Sequence, residues 1–169
     1  MTTSILVAVG VMFIPVAMLN FGKGEAKTTG GIVFVGGIIT LVGAFFTAVV
    51  YKDNLGAALF FSCAILYLVI AQALLMGVED WRSVGQCSFV VALVCGINAI
   101  LYFVGTETIA QNYFVAFMDA AFCWLTIQVG FMGYGKCSGK AVGITVLWVT
   151  AFCLFLPAFY LLAFGRLPF

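Results

Sequence analysis

Long apolar stretches separated by short polar joints run through this chain from near Ile5 to Phe164. A helix needs ~20 mostly apolar residues to cross the hydrocarbon core of a bilayer, which is ~30 Å thick. Six stretches meet this requirement, at residues 5–21, 30–51, 55–76, 84–104, 112–132 and 141–164. The pattern predicts an all-α integral membrane protein, in which residues 1–169 form one six-transmembrane-helix bundle with consecutive helices antiparallel.

The composition excludes the main soluble classes. Hydrophobic residues make up 65% of the chain and charged residues 8%, whereas a soluble domain carries roughly 25% charged residues. No stretch has the charged face of a surface-lying helix, and without a basic tract nucleic acid is not an expected partner. The first stretch lacks a preceding Lys or Arg and a clear cleavage site before Lys23, so we expect a retained helix rather than a signal peptide.

The residue sets that usually carry catalysis or metal binding are missing from the sequence. The chain has no His, and its six Cys include no C-x-x-C pair, so we interpret the Cys residues as small hydrophobic side chains. A zinc site needs clustered Cys or His, and we therefore expect no metal and no cofactor. With no Ser/His pair and no paired buried acids, the sequence does not predict an enzyme.

The distribution of Lys and Arg predicts the orientation in the membrane, because these residues favour cytoplasmic joints. The first, third and fifth joints hold five of them, and the opposite side holds Lys52 and Arg166. The five are Lys23, Lys27, Arg82, Lys136 and Lys140. We expect the first, third and fifth joints in the cytoplasm and both termini outside.

Asp119 is the one ionisable residue that lies deep within an apolar stretch. Ionisable groups inside a membrane are costly and usually mark function, so Asp119 is a candidate to line a pathway and bind substrate N–H groups. A structural role is the alternative, with the carboxyl either protonated or hydrogen-bonded to a neighbouring helix, for example through Gln72 or Asn98. A single acid gives little support to a proton relay.

Aromatic residues form 16% of the chain, and those that face a lumen would form a narrow slot of low dielectric constant. Such a slot resists hydrated ions, because removing water from a charge is expensive. A small planar amide loses far less and can lie against ring faces. This favours a channel for neutral solutes, although aromatic stripes also serve simply as packing.

Several short motifs resemble those of one membrane family. They are KGEAKTT at 23–29, FVGG at 34–37, DWR at 80–82, SFVVA at 88–92, WLT at 124–126 and LPA at 156–158. In this order, and with six helices, the chain resembles the AmiS/UreI family of bacterial urea and short-chain amide channels over nearly its whole length.

The resemblance implies a homo-hexamer in the bacterial cytoplasmic membrane, with a separate pore through each protomer. It implies that urea or short-chain amides pass passively through this pore, across the lipid bilayer, to a cytoplasmic urease or amidase. The family's acid-activated channel has His-rich outward loops, whereas this chain has no His and so has no histidine-based gate. The family's Glu in the sixth helix corresponds to a place near Val149.

The resemblance also implies a set of pore-lining residues on the first, third and fifth helices, and Trp124 matches a pore tryptophan of the family. The set is Leu6, Val9, Phe13, Phe61, Ile65, Tyr67, Phe117, Ala120 and Trp124. We expect Trp124→Ala to change urea or amide flux far more than assembly.

Asp80, Trp81 and Arg82 are expected at the cytoplasmic mouth in a structural role. Asp80 can cap the following helix, Arg82 can pair with Asp80 or Glu79, and Trp81 suits the membrane–water interface. Direct contact with substrate is the alternative for this motif.

Two other functions remain open on the sequence. One is a proton-coupled secondary transporter for small solutes that uses Asp119, and the other is a non-transporting membrane scaffold for a urease or amidase. The choice between urea and acetamide or formamide is also open.

Overall fold

The computed structural model describes residues 2–165, and within them six helical spans are long and apolar enough to cross a membrane. The helices are α1 (Thr2–Asn20), α2 (Ala26–Val49), α3 (Asn54–Met76), α4 (Arg82–Val104), α5 (Tyr113–Gly133), α6 (Gly139–Val149) and α7 (Leu156–Phe164). A π-helical segment, Thr150–Phe155, joins α6 to α7, and these three form the sixth span. The predicted six-helix architecture is confirmed, while Arg166 lies outside the described residues.

Side-chain caps fix where several helices begin. The carboxylate of Glu25 accepts the backbone N–H groups of Lys27 at 2.9 Å and Thr28 at 2.6 Å, and hydrogen bonds from Thr28 are the main cause of a lowered Glu25 pKa. This cap starts α2 at Ala26, four residues before the predicted start at residue 30. The first joint is therefore shorter than the sequence predicts.

The helices form a closed ring. Each span packs against the next in sequence, and the sixth span returns to pack against α1. At one end, Gly139 lies against Asn20, and Gly133 lies against the backbone of Trp81. The first, third and fifth joints therefore meet at the same end of the bundle, as alternating antiparallel helices require.

The sixth span is not the uninterrupted helix that the sequence predicts for residues 141–164. Pro157 has no backbone N–H, so it cannot donate the α-helical bond to the carbonyl of Cys153. The N–H of Leu156 bonds instead to Ala151, five residues back, which widens this turn into a π-helix. The change of register accompanies the inward placement of Leu154, which is 1% exposed.

The close approach of α4 and α5 yields a stability prediction. A Cβ added at Gly133 would lie 2.6 Å from the Trp81 carbonyl oxygen and 3.0 Å from the Cα of Gly85. Because backbone cannot easily move aside, we expect Gly133→Ala to destabilise the protein by about 1–3 kcal/mol. Thermal unfolding in detergent measures this.

The matched control is Gly31→Ala in α2, where an added Cβ meets nothing within 4 Å. This change should be neutral or stabilising by up to about 1 kcal/mol, because alanine favours the helix. Equal effects of the two substitutions would contradict the close approach.

Candidate functional site

Two cavities lie inside the ring, one toward each end. The larger has a volume of about 950 Å³ and lies at the end formed by the first, third and fifth joints. Its rim includes Asn20, Glu79 and Tyr134, and its walls are mainly apolar side chains of α1, α3 and α5 such as Val16 and Leu66.

The smaller cavity has a volume of about 200 Å³ and lies toward the opposite end. Its lining includes Leu6 and Val9 near the start of α1, Tyr102 near the end of α4, and Asp53 before α3. Pockets for drug-sized ligands measure roughly 300–1,000 Å³. This cavity therefore has room only for a much smaller molecule.

Aromatic rings separate the two cavities. Tyr67 and Phe122 line both cavities, together with the small thiol side chain of Cys63. The ring of Phe13 meets Tyr67 edge-on, with centroids 5.8 Å apart, and lies 6.1 Å from Phe122. We call Phe13, Tyr67 and Phe122 the aromatic constriction; α1, α3 and α5 each supply one ring.

Most buried hydroxyl groups are already hydrogen-bonded to their own helix. Thr40 donates to the Gly36 carbonyl and Thr150 to the Val146 carbonyl, at 2.8 and 2.7 Å. Ser88 makes the same type of bond. Because of these bonds, few of the buried hydroxyl groups are free to donate a hydrogen bond to a molecule inside the ring.

Three buried side-chain oxygens in the described part of the chain have no hydrogen-bond partner: Asn98 Oδ1, Asp119 Oδ2 and Gln128 Oε1. Asn98 and Asp119 both line the smaller cavity. Neither bonds to the other, and Gln72 is exposed and contacts Met76 Sδ at 3.7 Å. The predicted hydrogen bonds from Asp119 to Gln72 or Asn98 are therefore not present.

Four of the nine predicted pore residues lie at the cavities. Leu6 and Val9 line the smaller cavity, Phe13 lines the larger, and Tyr67 lines both. Their side chains are between 5% and 7% exposed. These four side chains face the interior of the ring, and their role in a pore stays a prediction.

The other five predicted pore residues lie away from both cavities. On α3, Ile65 is 53% exposed, and Phe61 packs edge-on against Phe45 near the outer surface. On α5, Trp124 is 58% exposed, Phe117 packs against Trp148, and Ala120 is exposed. This corrects the predicted placement, because α3 and α5 turn other faces inward.

The face of α5 that lines the cavities includes Asp119, which the sequence indicated as a candidate to line a pathway. It also carries residues that were missed from the sequence: Met118, Phe122, Leu125 and Thr126. Asp119 and Thr126 are seven residues apart, about two helical turns, and so share a face. Their shared polarity is the signal that could have identified this lining.

The Asp80–Trp81–Arg82 motif lies at the rim of the larger cavity. Arg82 Nη2 donates to Asp80 Oδ2 at 2.6 Å, and Arg82 Nε donates to Asp80 Oδ1 at 3.0 Å. Asp80 also accepts the Arg82 backbone N–H at 3.0 Å, and Trp81 Nε1 donates to the Val78 carbonyl. The motif thus folds onto itself and shapes the start of α4.

The ion pair yields a pH prediction. Hydrogen bonds from the Arg82 side chain lower the Asp80 pKa to about 2 from an ordinary value of 3.8. Because the folded-state pKa is depressed, the pair contributes stability above pH 4 and loses it as the pH falls toward 2. The side chains are 67% and 56% exposed, so the contribution should be small.

Thermal unfolding of wild type and Asp80→Asn in detergent tests this. The difference in melting temperature should be constant from pH 8 to pH 5, should shrink between pH 4 and pH 2, and should fall in 1 M salt. A difference that grows on acidification would contradict the assigned pairing.

Comparison with known proteins gives matches at the level of structure. No protein-family model and no curated protein matches the sequence. The structure of the Helicobacter pylori urea channel in a closed state, solved by cryo-electron microscopy, matches with a TM-score of 0.85 at 20% identity, over 99% of this chain and 100% of that chain. A crystal structure of the urea channel from the same pathogen matches with a TM-score of 0.80 at 20% identity, over 96% and 97% of the two chains. The resemblance stated from the sequence is therefore confirmed at the level of the fold, which this chain shares with the urea channel.

Proposed function

We propose that this protein is a passive channel for urea or short aliphatic amides, without a histidine-based gate. The observation that carries the proposal is the path inside one chain: two cavities separated by the aromatic constriction, in a fold shared with a urea channel. A cytoplasmic urease or amidase would consume the permeant. Urea and short amides remain equal candidates, since both are small, planar and neutral.

The constriction supports selectivity for neutral solutes. A permeant must pass Phe13, Tyr67 and Phe122, whose apolar ring faces cannot replace the water around an ion. Transfer of an unpaired charge into such surroundings is far costlier than transfer of a neutral amide. A planar amide can also lie against the rings.

The buried charges favour passive transport over proton coupling. Asp119 is the only charged residue among the buried side chains of residues 3–165. A relay across a membrane uses a chain of titratable groups, and one acid does not provide it. We therefore propose uncoupled flux, with a proton-coupled carrier and a non-transporting scaffold as the rivals.

We also propose that the larger cavity opens to the cytoplasm and that the chain assembles as a hexamer in the cytoplasmic membrane. The joints and the first helical turns at this end carry five basic residues, which favours that side as cytoplasmic. They are Lys23, Lys27, Arg82, Lys136 and Lys140. The hexamer rests on the sequence resemblance alone.

The flux prediction uses stopped-flow light scattering on proteoliposomes with urea or acetamide and no ion gradient. Wild type should equilibrate each solute faster than empty liposomes. Phe122→Ala should open the constriction and reduce discrimination against N,N′-dimethylurea by roughly tenfold, which corresponds to about 1.4 kcal/mol in the barrier.

Trp124→Ala is the matched control, because this aromatic side chain lies on the outer surface of the same helix. Trp124→Ala should leave discrimination against N,N′-dimethylurea unchanged. If only Trp124→Ala reduced this discrimination, the pore lining expected from the sequence would be correct. If wild type carries no flux above empty liposomes, uphill uptake under a proton gradient, lost in Asp119→Asn, would identify the coupled carrier. Absence of both passive flux and proton-driven uptake would favour the non-transporting scaffold.

The orientation predicts which joints a membrane-impermeant thiol reagent reaches in intact cells. In a Cys137→Ser background, Glu107→Cys in the α4–α5 joint should be labelled and Lys136→Cys in the α5–α6 joint should be protected. Both positions are exposed in the structure, so permeabilised cells should label both. The opposite pattern would reverse the orientation.

A further inference from the structure

We propose that the smaller cavity is a binding site for a primary amide or urea group, in which Asp119 and Asn98 accept its N–H hydrogens. The inference rests on the proposed function and deepens it, because it assigns the recognition step to a place and to two side chains. The site adjoins the aromatic constriction, since the rings of Tyr67 and Phe122 also line the smaller cavity.

The two acceptors are buried and unused. Asp119 is 4% exposed and Asn98 is 2% exposed, and neither Asp119 Oδ2 nor Asn98 Oδ1 has a hydrogen-bond partner. A buried acceptor without a donor is costly. Both side chains line the same cavity. A molecule with N–H groups that enters this cavity would therefore supply the hydrogen bonds that both oxygens lack.

The other polar groups of the cavity include both donors and acceptors, and the threonine donors among them are already used. The hydroxyls of Thr40 and Thr47 already donate to the carbonyls of Gly36 and Gly43, both at 2.8 Å. Asp53 accepts the backbone N–H of Gly56 at 2.9 Å. Tyr67 and Tyr102 also line the cavity, and their phenolic hydroxyls can donate to a carbonyl oxygen. The matching ligand therefore offers N–H donors together with a carbonyl acceptor.

Size and polarity narrow the ligand further. The cavity volume is about 200 Å³, and the walls include the apolar side chains of Leu6, Val9, Phe122 and Leu154. A neutral planar molecule with an N–H edge and one carbonyl fits this setting. The amide of Asn98 also has N–H donors of its own for the carbonyl oxygen of the ligand.

The position of the site suggests how it helps permeation. The smaller cavity adjoins Tyr67 and Phe122, so a solute from that end reaches the two acceptors before the rings. Hydrogen bonds to the acceptors replace those lost to water just where water is excluded. A solute without N–H groups receives no such replacement.

Proteoliposome flux of labelled urea tests the site through Asp119→Leu and Asn98→Leu, which remove the acceptors and keep similar volume. We expect urea flux to fall about tenfold in Asp119→Leu, which corresponds to the loss of about one hydrogen bond. Gln72→Leu is the control, since this polar side chain lies on the outer surface of α3, and its flux should match wild type.

Competition separates recognition from general damage to the fold. In wild type, excess acetamide should slow urea flux, and N,N-dimethylacetamide, which has no N–H, should not. In the two leucine variants the effect of acetamide should disappear. Each variant must elute from size-exclusion chromatography like wild type.

Asp119→Asn provides a conservative variant, because its carbonyl oxygen can still accept an N–H. Retention of at least half of the wild-type flux supports the site. Loss equal to that of Asp119→Leu overturns it in favour of a role for the charge, and wild-type flux in both leucine variants overturns it outright. Absence of flux in wild type would instead defeat the proposed function, and the site with it.

Discussion

The structure depends on one constraint: inside lipid, every backbone N–H and C=O must find a partner within the protein. Helices satisfy this requirement locally, so the chain becomes a series of spans whose side chains decide everything else. Where a residue disturbs the pattern, the backbone repairs it nearby, as the π-helical turn before Pro157 shows. The hydroxyls of Thr40 and Thr150 follow the same rule by bonding within their own helices.

With the backbone and hydroxyls satisfied, the interior of the ring has two kinds of surface. The aromatic constriction presents mainly apolar ring faces, with the hydroxyl of Tyr67 as its one polar side-chain group. The smaller cavity holds the unpartnered oxygens of Asn98 and Asp119. Under the proposed function, the constriction would exclude charged solutes and the smaller cavity would accept N–H groups. The two regions adjoin at Tyr67 and Phe122.

The sequence was sufficient to predict which residues form the spans. It was insufficient to predict which face of each helix points into the ring. Length and hydropathy define six spans, because the hydrocarbon thickness fixes how many apolar residues are needed. In a membrane, however, the face toward lipid is as apolar as the face toward the lumen, so periodicity does not say which is which. Trp124 and Phe122, two residues apart, are equally good aromatic candidates, yet Trp124 lies outside and Phe122 lies between the cavities. Asp119 was the useful marker, because a carboxyl must avoid lipid.

The cap at Glu25 and the close approach at Gly133 are two further features that the hydropathy pattern does not predict. A carboxylate that moves a helix start by four residues depends on local hydrogen-bond geometry. The approach of α4 to α5 depends on backbone atoms, which hydropathy does not describe. Both features lie at the ends of spans, where membrane thickness no longer dictates the structure.

Closure of the ring within one chain has a consequence for any assembly of copies. Both cavities and all three rings of the constriction come from a single polypeptide, so under the proposed function each copy would hold a complete path of its own. In mixed assemblies of active and blocked subunits, the flux expected from the proposed function would decline in direct proportion to the blocked fraction. A path shared between subunits would instead fail steeply, since one defective subunit would silence its neighbours.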